Sequence, residues 1–346
     1  MSRFFFGPMG WCVVSAILFG VSPTACRRLL DVMDPIALAA LLYLGAGIGT
    51  LPMSIRKGLR PKKIPRTDAF RLLGAIFMGG VLGPIFLMKG IESAGAGTSS
   101  LLLNFETVAT VLLGFLLFKE HVGKSVLIAS GLIVVAGCWL GFPGQLSLHP
   151  GVLWVIGACF CWGMDNHLTA VIDQITPAQS TCIKGVCAGT FNVLLAVALS
   201  QSFGDTTSIA GALLIGAVCY GFSIVLYIAS AQQLGATRSQ MIFATAPYFG
   251  LFTAWIFLAE PVLISQVGAA ALMALALFFL HREQHAHAHT HTSTKHTHLH
   301  HHADDHHDHN HSQAPRTVFG WHAHPHAHAE ETHTHEHRSD IHHRHH

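Results

Sequence analysis

Long apolar stretches separated by short polar segments dominate the first 280 residues of the chain. A bilayer core about 30 Å thick is crossed by about 20 predominantly apolar helical residues. Stretches of that kind recur ten times, so the pattern predicts an all-α membrane protein with ten transmembrane helices. Their predicted bounds are 7–25, 35–54, 70–90, 97–118, 124–141, 150–171, 178–200, 208–231, 236–258 and 262–280.

The same pattern divides the chain into three parts. Residues 7–142 and 150–280 each hold five predicted spans, and residues 281–346 form a polar tail. Overall, 51% of residues are hydrophobic and 11% charged, whereas a soluble domain carries about 25% charged residues. The tail contains 25 of the 28 histidines. A segment this polar buries too little apolar surface to offset the conformational entropy lost on folding. The tail is therefore predicted to be disordered.

The two apolar parts resemble each other at an offset of 140 residues. Matching pairs include Gly95 with Gly235, Ser99 with Ser239 and Glu120 with Glu260. Five helices is an odd number, so two such repeats must cross the membrane in opposite senses, which is the inverted arrangement of many secondary transporters.

Basic residues predict the orientation of the spans. They are concentrated between the second and third spans, and cytoplasmic loops carry the excess of Lys and Arg. Both termini are therefore predicted to be cytoplasmic, in a multi-pass protein of the inner (cytoplasmic) membrane. The expected interfacial anchors near span ends are Lys89, Glu92, Glu120 and Glu260.

Two glycine pairs predict close approach of helices. Gly45 with Gly49 and Gly79 with Gly83 have the small-xxx-small spacing that lets helix backbones approach each other in lipid.

Several motifs together are similar to one transporter family. The first runs from Gly95 through Thr98-Ser99-Ser100 to Asn104-Phe105-Glu106, followed by Phe118-Lys119-Glu120. Its counterpart begins at Leu234-Gly235-Ala236-Thr237 and continues through Ala246-Pro247 to Ala259-Glu260-Pro261, and a further motif is Cys161-Trp162-Gly163-Met164-Asp165-Asn166-His167. These residues resemble the drug/metabolite transporter superfamily, specifically EamA-type transporters with ten helices in two repeats. The resemblance implies secondary transport of a small solute, often export, through a central cavity between the repeats.

Glu106 is the first candidate for a functional residue. It lies about nine residues, or roughly 14 Å, into the fourth span, and Asn104 is nearby on the same helix. Because the membrane interior disfavours a charged carboxylate, Glu106 is interpreted as a cavity-lining group that takes up and releases a proton. The alternative is a neutral glutamic acid hydrogen-bonded to a neighbouring helix.

Asp165 and Lys184 form the second candidate. They lie at equal depth on the sixth and seventh spans, so the sequence predicts an ion pair beside the inner mouth of the cavity, with Asn166 and His167 adding hydrogen-bonding groups. Both a structural pair and a substrate contact remain open.

The histidine-rich tail predicts metal binding. In an extended chain, residues two apart face the same side, so alternating histidines present neighbouring imidazoles, which bind zinc, nickel, cobalt or copper. The candidate ligands are His285, His287, His289, His291, His298, His300, His302, His307, His309 and His311.

Three functions remain open at this point. The favoured one is secondary export of a small organic solute, with the tail as an accessory metal binder. The second is an exporter of nickel, cobalt or zinc whose tail collects the ion, and the third is a membrane metal sensor without transport.

No nucleophile–base arrangement, phosphate-binding loop or ATP-binding segment is evident, so no enzyme activity and no required cofactor are predicted. The expected partners are a small-molecule solute, divalent metal ions and the lipid bilayer, but no nucleic acid; a homodimer is left open.

Overall fold

The computed structural model describes most of the helical part of the chain and four segments of the tail. The described residues are 7–55, 65–118, 123–141, 149–170, 172, 175–234, 239, 242–282, 285–291, 295–301, 321–327 and 331–337.

The first repeat folds into helices whose ends the sequence explains. Proline stands at the start of several of them, where its missing N–H costs no hydrogen bond. The helices are α1 (Pro8–Leu29), α2 (Pro35–Ser54), α3 (Arg66–Ala75), α4 (Gly83–Ala94), α5 (Ala96–Leu102), α6 (Phe105–Phe118) and α7 (Lys124–Gly141). The π-helix Ile76–Leu82 joins α3 to α4 without interruption.

The second repeat has the same order of helices over its described residues, which leave out 235–238, 240 and 241. Its helices are α8 (Pro150–Ala170), α9 (Pro177–Ala198), α10 (Thr206–Ile215), α11 (Ser223–Leu234), α12 (Ala246–Phe257) and α13 (Ile264–Arg282), with the π-helix Gly216–Phe222 between α10 and α11. Thr176 begins α9 with a capping box, in which its side chain accepts from Gln179 N and Gln179 Oε1 accepts from Thr176 N.

The two π-helices show the internal repeat in the backbone. Ile76–Leu82 and Gly216–Phe222 each span seven residues, and 216 − 76 = 140 is the offset at which the two halves of the sequence resemble each other. A π-helix is rare and is found frequently at functional sites. The predicted duplication is therefore present down to the position of an unusual helical turn.

The helices match the predicted membrane architecture. Within the described residues, six helical stretches are long and apolar enough to cross a membrane, and three shorter apolar helices accompany them. The six are Pro8–Leu29, Pro35–Ser54, Arg66–Ala94, Ala96–Leu117, Pro177–Ala198 and Thr206–Ser230. Large apolar side chains such as Phe70, Leu214 and Ile264 lie on the outside of the bundle, as expected of a surface that faces lipid.

The predicted glycine pairs do bring helices together. A Cβ at Gly45 would overlap with the carbonyl of Leu213, and one at Gly49 would lie 2.7 Å from Ala217 Cβ. The α2 helix of the first repeat is thereby packed closely against the second repeat.

Four short strands are described in the tail. They are β1 (His285–His291), β2 (Lys295–His301), β3 (Trp321–Ala327) and β4 (Glu331–His337), with β1 antiparallel to β4 and β2 antiparallel to β3. The alternating sequence of these segments permits such extended pairing. Two-stranded sheets are marginally stable in water, so this pairing adds no packed domain to the helical part.

Candidate functional site

The Asp165 carboxylate and the Lys184 ammonium form a largely buried ion pair between α8 and α9. Lys184 Nζ lies 2.9 Å from Asp165 Oδ1 and 2.8 Å from Oδ2. The side chain of Lys184 is 15% exposed and that of Asp165 is 11% exposed. Thr169, one helical turn after Asp165, donates its hydroxyl to Asp165 Oδ1 at 2.8 Å. The predicted pairing is confirmed, and the aspartate charge is already neutralised within the protein.

Gly79 makes room for this pair. It lies in the first π-helix, and a Cβ at this position would overlap with the Asp165 carboxylate. The carbonyl of Gly79 accepts two side-chain hydrogen bonds, from Tyr43 Oη at 2.5 Å and from Trp162 Nε1 at 3.0 Å. The π-helix thus presents one backbone carbonyl to two buried aromatic donors beside the ion pair.

Sequence reasoning missed Tyr43 and Thr169 as members of this cluster. Nothing in the local sequence of α2 distinguishes Tyr43 from a core aromatic residue. The spacing of Thr169 four residues after Asp165 was the one available signal, because residues four apart are neighbours on a helix.

Glu106 lies at the start of α6, immediately after a break in the fourth span. Residues 103 and 104 form a turn between α5 and α6, so the carboxylate follows an irregular backbone segment. Asn166 Nδ2 donates to Glu106 Oε1 at 2.8 Å. The structure therefore brings together two residues that the sequence had placed in separate candidate groups.

Glu106 differs from Asp165 in its electrostatic surroundings. The salt bridges among the described residues are Arg27–Asp31, Arg71–Asp68 and Lys184–Asp165, and none includes Glu106. Its carboxylate is partly buried and has an amide donor instead of a cationic partner.

Asn104 does not join this cluster. It is 4% exposed, and its Nδ2 donates to Leu101 O at 3.3 Å and contacts Met273 Sδ at 3.4 Å in α13. Asn104 lies in the turn before α6, and its side-chain partners differ from the Asn166 partner of Glu106. Asn104 therefore contacts α13, whereas Glu106 contacts α8.

His167 joins α8 to α6. Its Nε2 lies 2.9 Å from Thr110 O, and Gly163, one turn earlier, lets the two helices approach, since a Cβ there would lie 3.1 Å from Thr110 N. His167 therefore fixes the helix that carries Asp165 and Asn166 against the helix that carries Glu106.

Aromatic rings from both repeats meet next to these polar groups. Phe19 of α1 lies edge-on to Trp162 of α8, with ring centroids 6.2 Å apart. Phe19 also contacts Tyr220 at 5.7 Å and Phe243 at 5.3 Å. The cluster marks the interface between the repeats, with Trp162 linking it to the Gly79 carbonyl.

The candidate metal ligands of the tail are only partly within the described residues. His302, His307, His309 and His311 lie outside them. In the described strands the register places His285 opposite His337, His287 opposite His335 and His289 opposite His333. It also places His298 opposite His324 and His300 opposite His322, and His291 lies opposite Glu331. Among the described residues searched, no group of three or more His, Cys, Asp or Glu could hold a metal ion.

Two five-span repeats, a polar cluster at their interface and an apolar exterior define a membrane transporter built from an internal duplication. The EamA-like transporter family matches residues 8–142 and 149–282. The chain therefore belongs to that family, and the resemblance read from the motifs is confirmed.

Relatives support the same class. An uncharacterized transporter of Methanothermobacter thermautotrophicus is 26% identical over 292 residues, covering 78% of this chain and 84% of the relative. An uncharacterized transporter of Synechocystis is 25% identical over 297 residues, covering 77% and 87%. The uncharacterized inner membrane transporter YhbE of Escherichia coli is 22% identical over 160 residues, covering 43% and 50%.

A solved crystal structure supports the fold. It covers 78% of this chain and 97% of its own, with a TM-score of 0.61 and 14% sequence identity. At that identity the likeness shows the fold alone.

Proposed function

We propose that the protein is a proton-coupled secondary transporter that exports a small organic solute across the inner membrane, with Glu106 as the coupling residue. The observation that carries this proposal is the contrast between the two carboxylates of the site. Asp165 is paired with Lys184, whereas Glu106 has no cationic partner among the described residues.

A charged side chain at membrane depth costs at least about 2.5 to 3.5 kcal/mol unless it is paired or hydrated. Pairing removes this requirement for Asp165 but not for Glu106. A carboxylate in that position is stabilised when it takes up a proton or when a solute supplies the missing positive charge. Either event links the occupancy of the site to the charge of Glu106, and this linkage is what coupled transport requires.

Asn166 supports both forms of Glu106. Its Nδ2 donates to the charged carboxylate, and an amide also carries an acceptor oxygen for a protonated one. The Asn166 amide therefore keeps a hydrogen bond to the Glu106 side chain in both its protonated and its charged form.

The test uses the purified protein in liposomes that contain a pH-sensitive dye. Amino acids, nucleosides and quaternary amines are added in turn, and solute-driven proton movement is recorded. We expect at least one solute to move protons with the unmodified protein and with Glu106→Asp, but not with Glu106→Gln, which keeps an acceptor for Asn166 without a titratable group. Equal solute flux in Glu106→Gln, with the same pH dependence, would refute the coupling role.

The direction of transport is measured separately. The lumen of an inside-out vesicle corresponds to the outside of the cell. Export therefore appears as accumulation of the solute in the lumen. Accumulation only in right-side-out vesicles would establish uptake instead.

We further propose that the cytosolic tail binds divalent transition metal ions. The cross-strand register that sets His287 opposite His335 and His298 opposite His324 supports this proposal, since it pairs histidines from distant parts of the tail. Metal binding by the tail is also what the second candidate function requires, in which nickel, cobalt or zinc is the exported cargo and the tail collects it.

The two candidates are separated in cells that express the full chain or a version ending after Arg282. Growth and cytosolic metal content are compared under nickel, cobalt and zinc stress. An exporter of metal lowers the cytosolic content of its ion, and removal of the tail weakens that effect. If the cytosolic metal content does not depend on expression of the protein, the organic solute remains the proposed cargo.

A further inference from the structure

Five residues join the two repeats by hydrogen bonds at one end of the bundle. The start of α5 supplies Ala96, Gly97 and Thr98, and the second repeat supplies Glu260 and Gln266. We refer to these contacts as the inter-repeat clasp.

Glu260 binds two backbone donors of the other repeat. Its Oε1 accepts from Ala96 N at 2.8 Å, and its Oε2 accepts from Gly97 N at 3.0 Å. Both bonds involve a carboxylate, and hydrogen bonds to charged groups are about twice as strong as neutral ones. The side chain thus closes the clasp with both of its oxygens.

Gln266 adds a third, oriented contact. It is 2% exposed, and its Oε1 accepts from Trp255 Nε1 at 3.0 Å and from Leu263 N at 3.4 Å. With the oxygen fixed in this way, the amide nitrogen faces the first repeat, where it donates to Thr98 Oγ1 at 3.2 Å.

The backbone on both sides of the clasp is unusual. Gly95 has φ +81° and Ala259 has φ +51°, the left-handed region that an alanine rarely adopts. Each of these residues directly precedes a residue of the clasp. A turn that a non-glycine residue disfavours persists when surrounding contacts hold it, and here the contacts of Glu260 do so.

The clasp lies at the end of the bundle opposite to the end of α8, whereas the ion pair lies deeper, beside Gly79. The fourth and sixth spans run in the same direction, so the beginning of α5 and the end of α8 face opposite sides of the membrane. Glu106 lies ten residues after Ala96, or roughly 15 Å along the span from the clasp.

We propose that the inter-repeat clasp is the gate that keeps the transporter closed at the face where α5 begins, and that it breaks and re-forms in each transport cycle. The proposal rests on the proposed transport function, since only a protein that alternates between two openings needs a contact between its repeats to break. Inverted repeats that enclose a central site move against each other in this way.

The test measures access to Ser99, a fully buried residue one turn into α5 from Ala96. Ser99→Cys is introduced after the exposed thiols Cys138 and Cys187 are replaced by serine, and a membrane-impermeant methanethiosulfonate reagent is applied to each face in turn. The parent without Ser99→Cys gives the background rate. In Glu260→Ala, we expect modification from the face of the clasp to accelerate about tenfold or more, because two charge-assisted hydrogen bonds are lost.

Asp34→Ala is the matched control. The Asp34 carboxylate also accepts from a backbone N–H of the other repeat, Ser202 N at 2.7 Å, at the same end of the bundle. It lies next to α2, which is packed closely against the second repeat, and its loss is expected to leave the modification of Ser99→Cys unchanged.

An unchanged rate in Glu260→Ala, or an equal acceleration in Asp34→Ala, would overturn the proposal. If Glu260→Ala does not accumulate in the membrane, Thr98→Ala removes the third bond alone, and a smaller acceleration is then required. This readout needs neither a solute nor Glu106, so its failure is distinguishable from failure of the coupling role.

Discussion

Gly79 and Asp165 are packed so closely that a Cβ on residue 79 would overlap with the carboxylate. Glycine at this position is therefore needed for the ion pair as well as for helix packing. We expect Gly79→Ala to displace the Asp165 carboxylate from Lys184, to cost about 1 to 3 kcal/mol of stability through overpacking, and to reduce transport severely. Thermal unfolding in detergent and solute flux in liposomes check both effects.

Gly131→Ala is the control for this prediction. It is also a glycine within a helix of the first repeat, but a Cβ there meets no atom within 4 Å. Alanine favours a helix over glycine by about 0.5 to 1 kcal/mol, so this variant should be at least as stable as the unmodified protein and fully active. Equal behaviour of the two variants would show that the space at Gly79 is not required.

The ion pair allows its structural and functional roles to be separated. Removing one partner of a buried pair leaves an uncompensated charge and costs about 3 to 5 kcal/mol, so Asp165→Asn and Lys184→Met should each be strongly destabilised. The double variant Asp165→Asn with Lys184→Met has no such charge, and its stability should exceed that of either single variant.

Transport by the double variant then decides the role of the pair. Recovery of flux together with stability identifies a structural pair. Recovery of stability without flux shows that the charges take part in transport. Full activity in both single variants would show that the ion pair is not part of the functional site.

The sequence predicted the architecture well because a membrane imposes it. The need for about 20 apolar residues per span determined the helices, and the recurring glycines and glutamates revealed the duplication. Equal depth on neighbouring spans was sufficient to pair Asp165 with Lys184, and small-xxx-small spacing was sufficient to find Gly79 with Gly83.

Long-range contacts set the limit of that reasoning. Glu260 was expected to be an interfacial anchor, but it accepts two hydrogen bonds from residues more than 160 positions earlier in the chain. Asn104 is two residues from Glu106, and its amide contacts Met273 of α13. Neither result follows from local pattern, because each depends on how the two repeats pack against each other. The interaction of Glu120, the counterpart of Glu260, lies outside the described residues.

The double acceptor role of the Gly79 carbonyl leads to a further prediction. Tyr43→Phe removes one of its two hydrogen bonds and should cost about 0.5 to 1.5 kcal/mol. Combined with Trp162→Phe, it leaves a buried carbonyl without its side-chain donors, so the loss of stability should exceed the sum of the single effects.

Tyr248→Phe provides the comparison for Tyr43→Phe. Its hydroxyl also donates to a backbone carbonyl, Ala270 O at 3.2 Å, but between α12 and α13. Both variants should lose similar stability, whereas only Tyr43→Phe should lower the rate of solute flux. A similar effect on flux in both would show that the Gly79 carbonyl has no particular role.

The tail should bind metal independently of the helical part. Its strands pair with each other, β1 with β4 and β2 with β3, so a chain ending after Arg282 should unfold at the same temperature as the full chain but lose binding of zinc and nickel. Because only neutral imidazole binds these ions, affinity should fall as the pH drops through about 6.5, where histidine becomes protonated. Calorimetric titration of both chains at pH 7.5 and pH 5.5 measures this. Replacing His285, His287, His298 and His300 with asparagine should weaken binding without changing unfolding, and metal retained by the shortened chain would place the site within the helices instead.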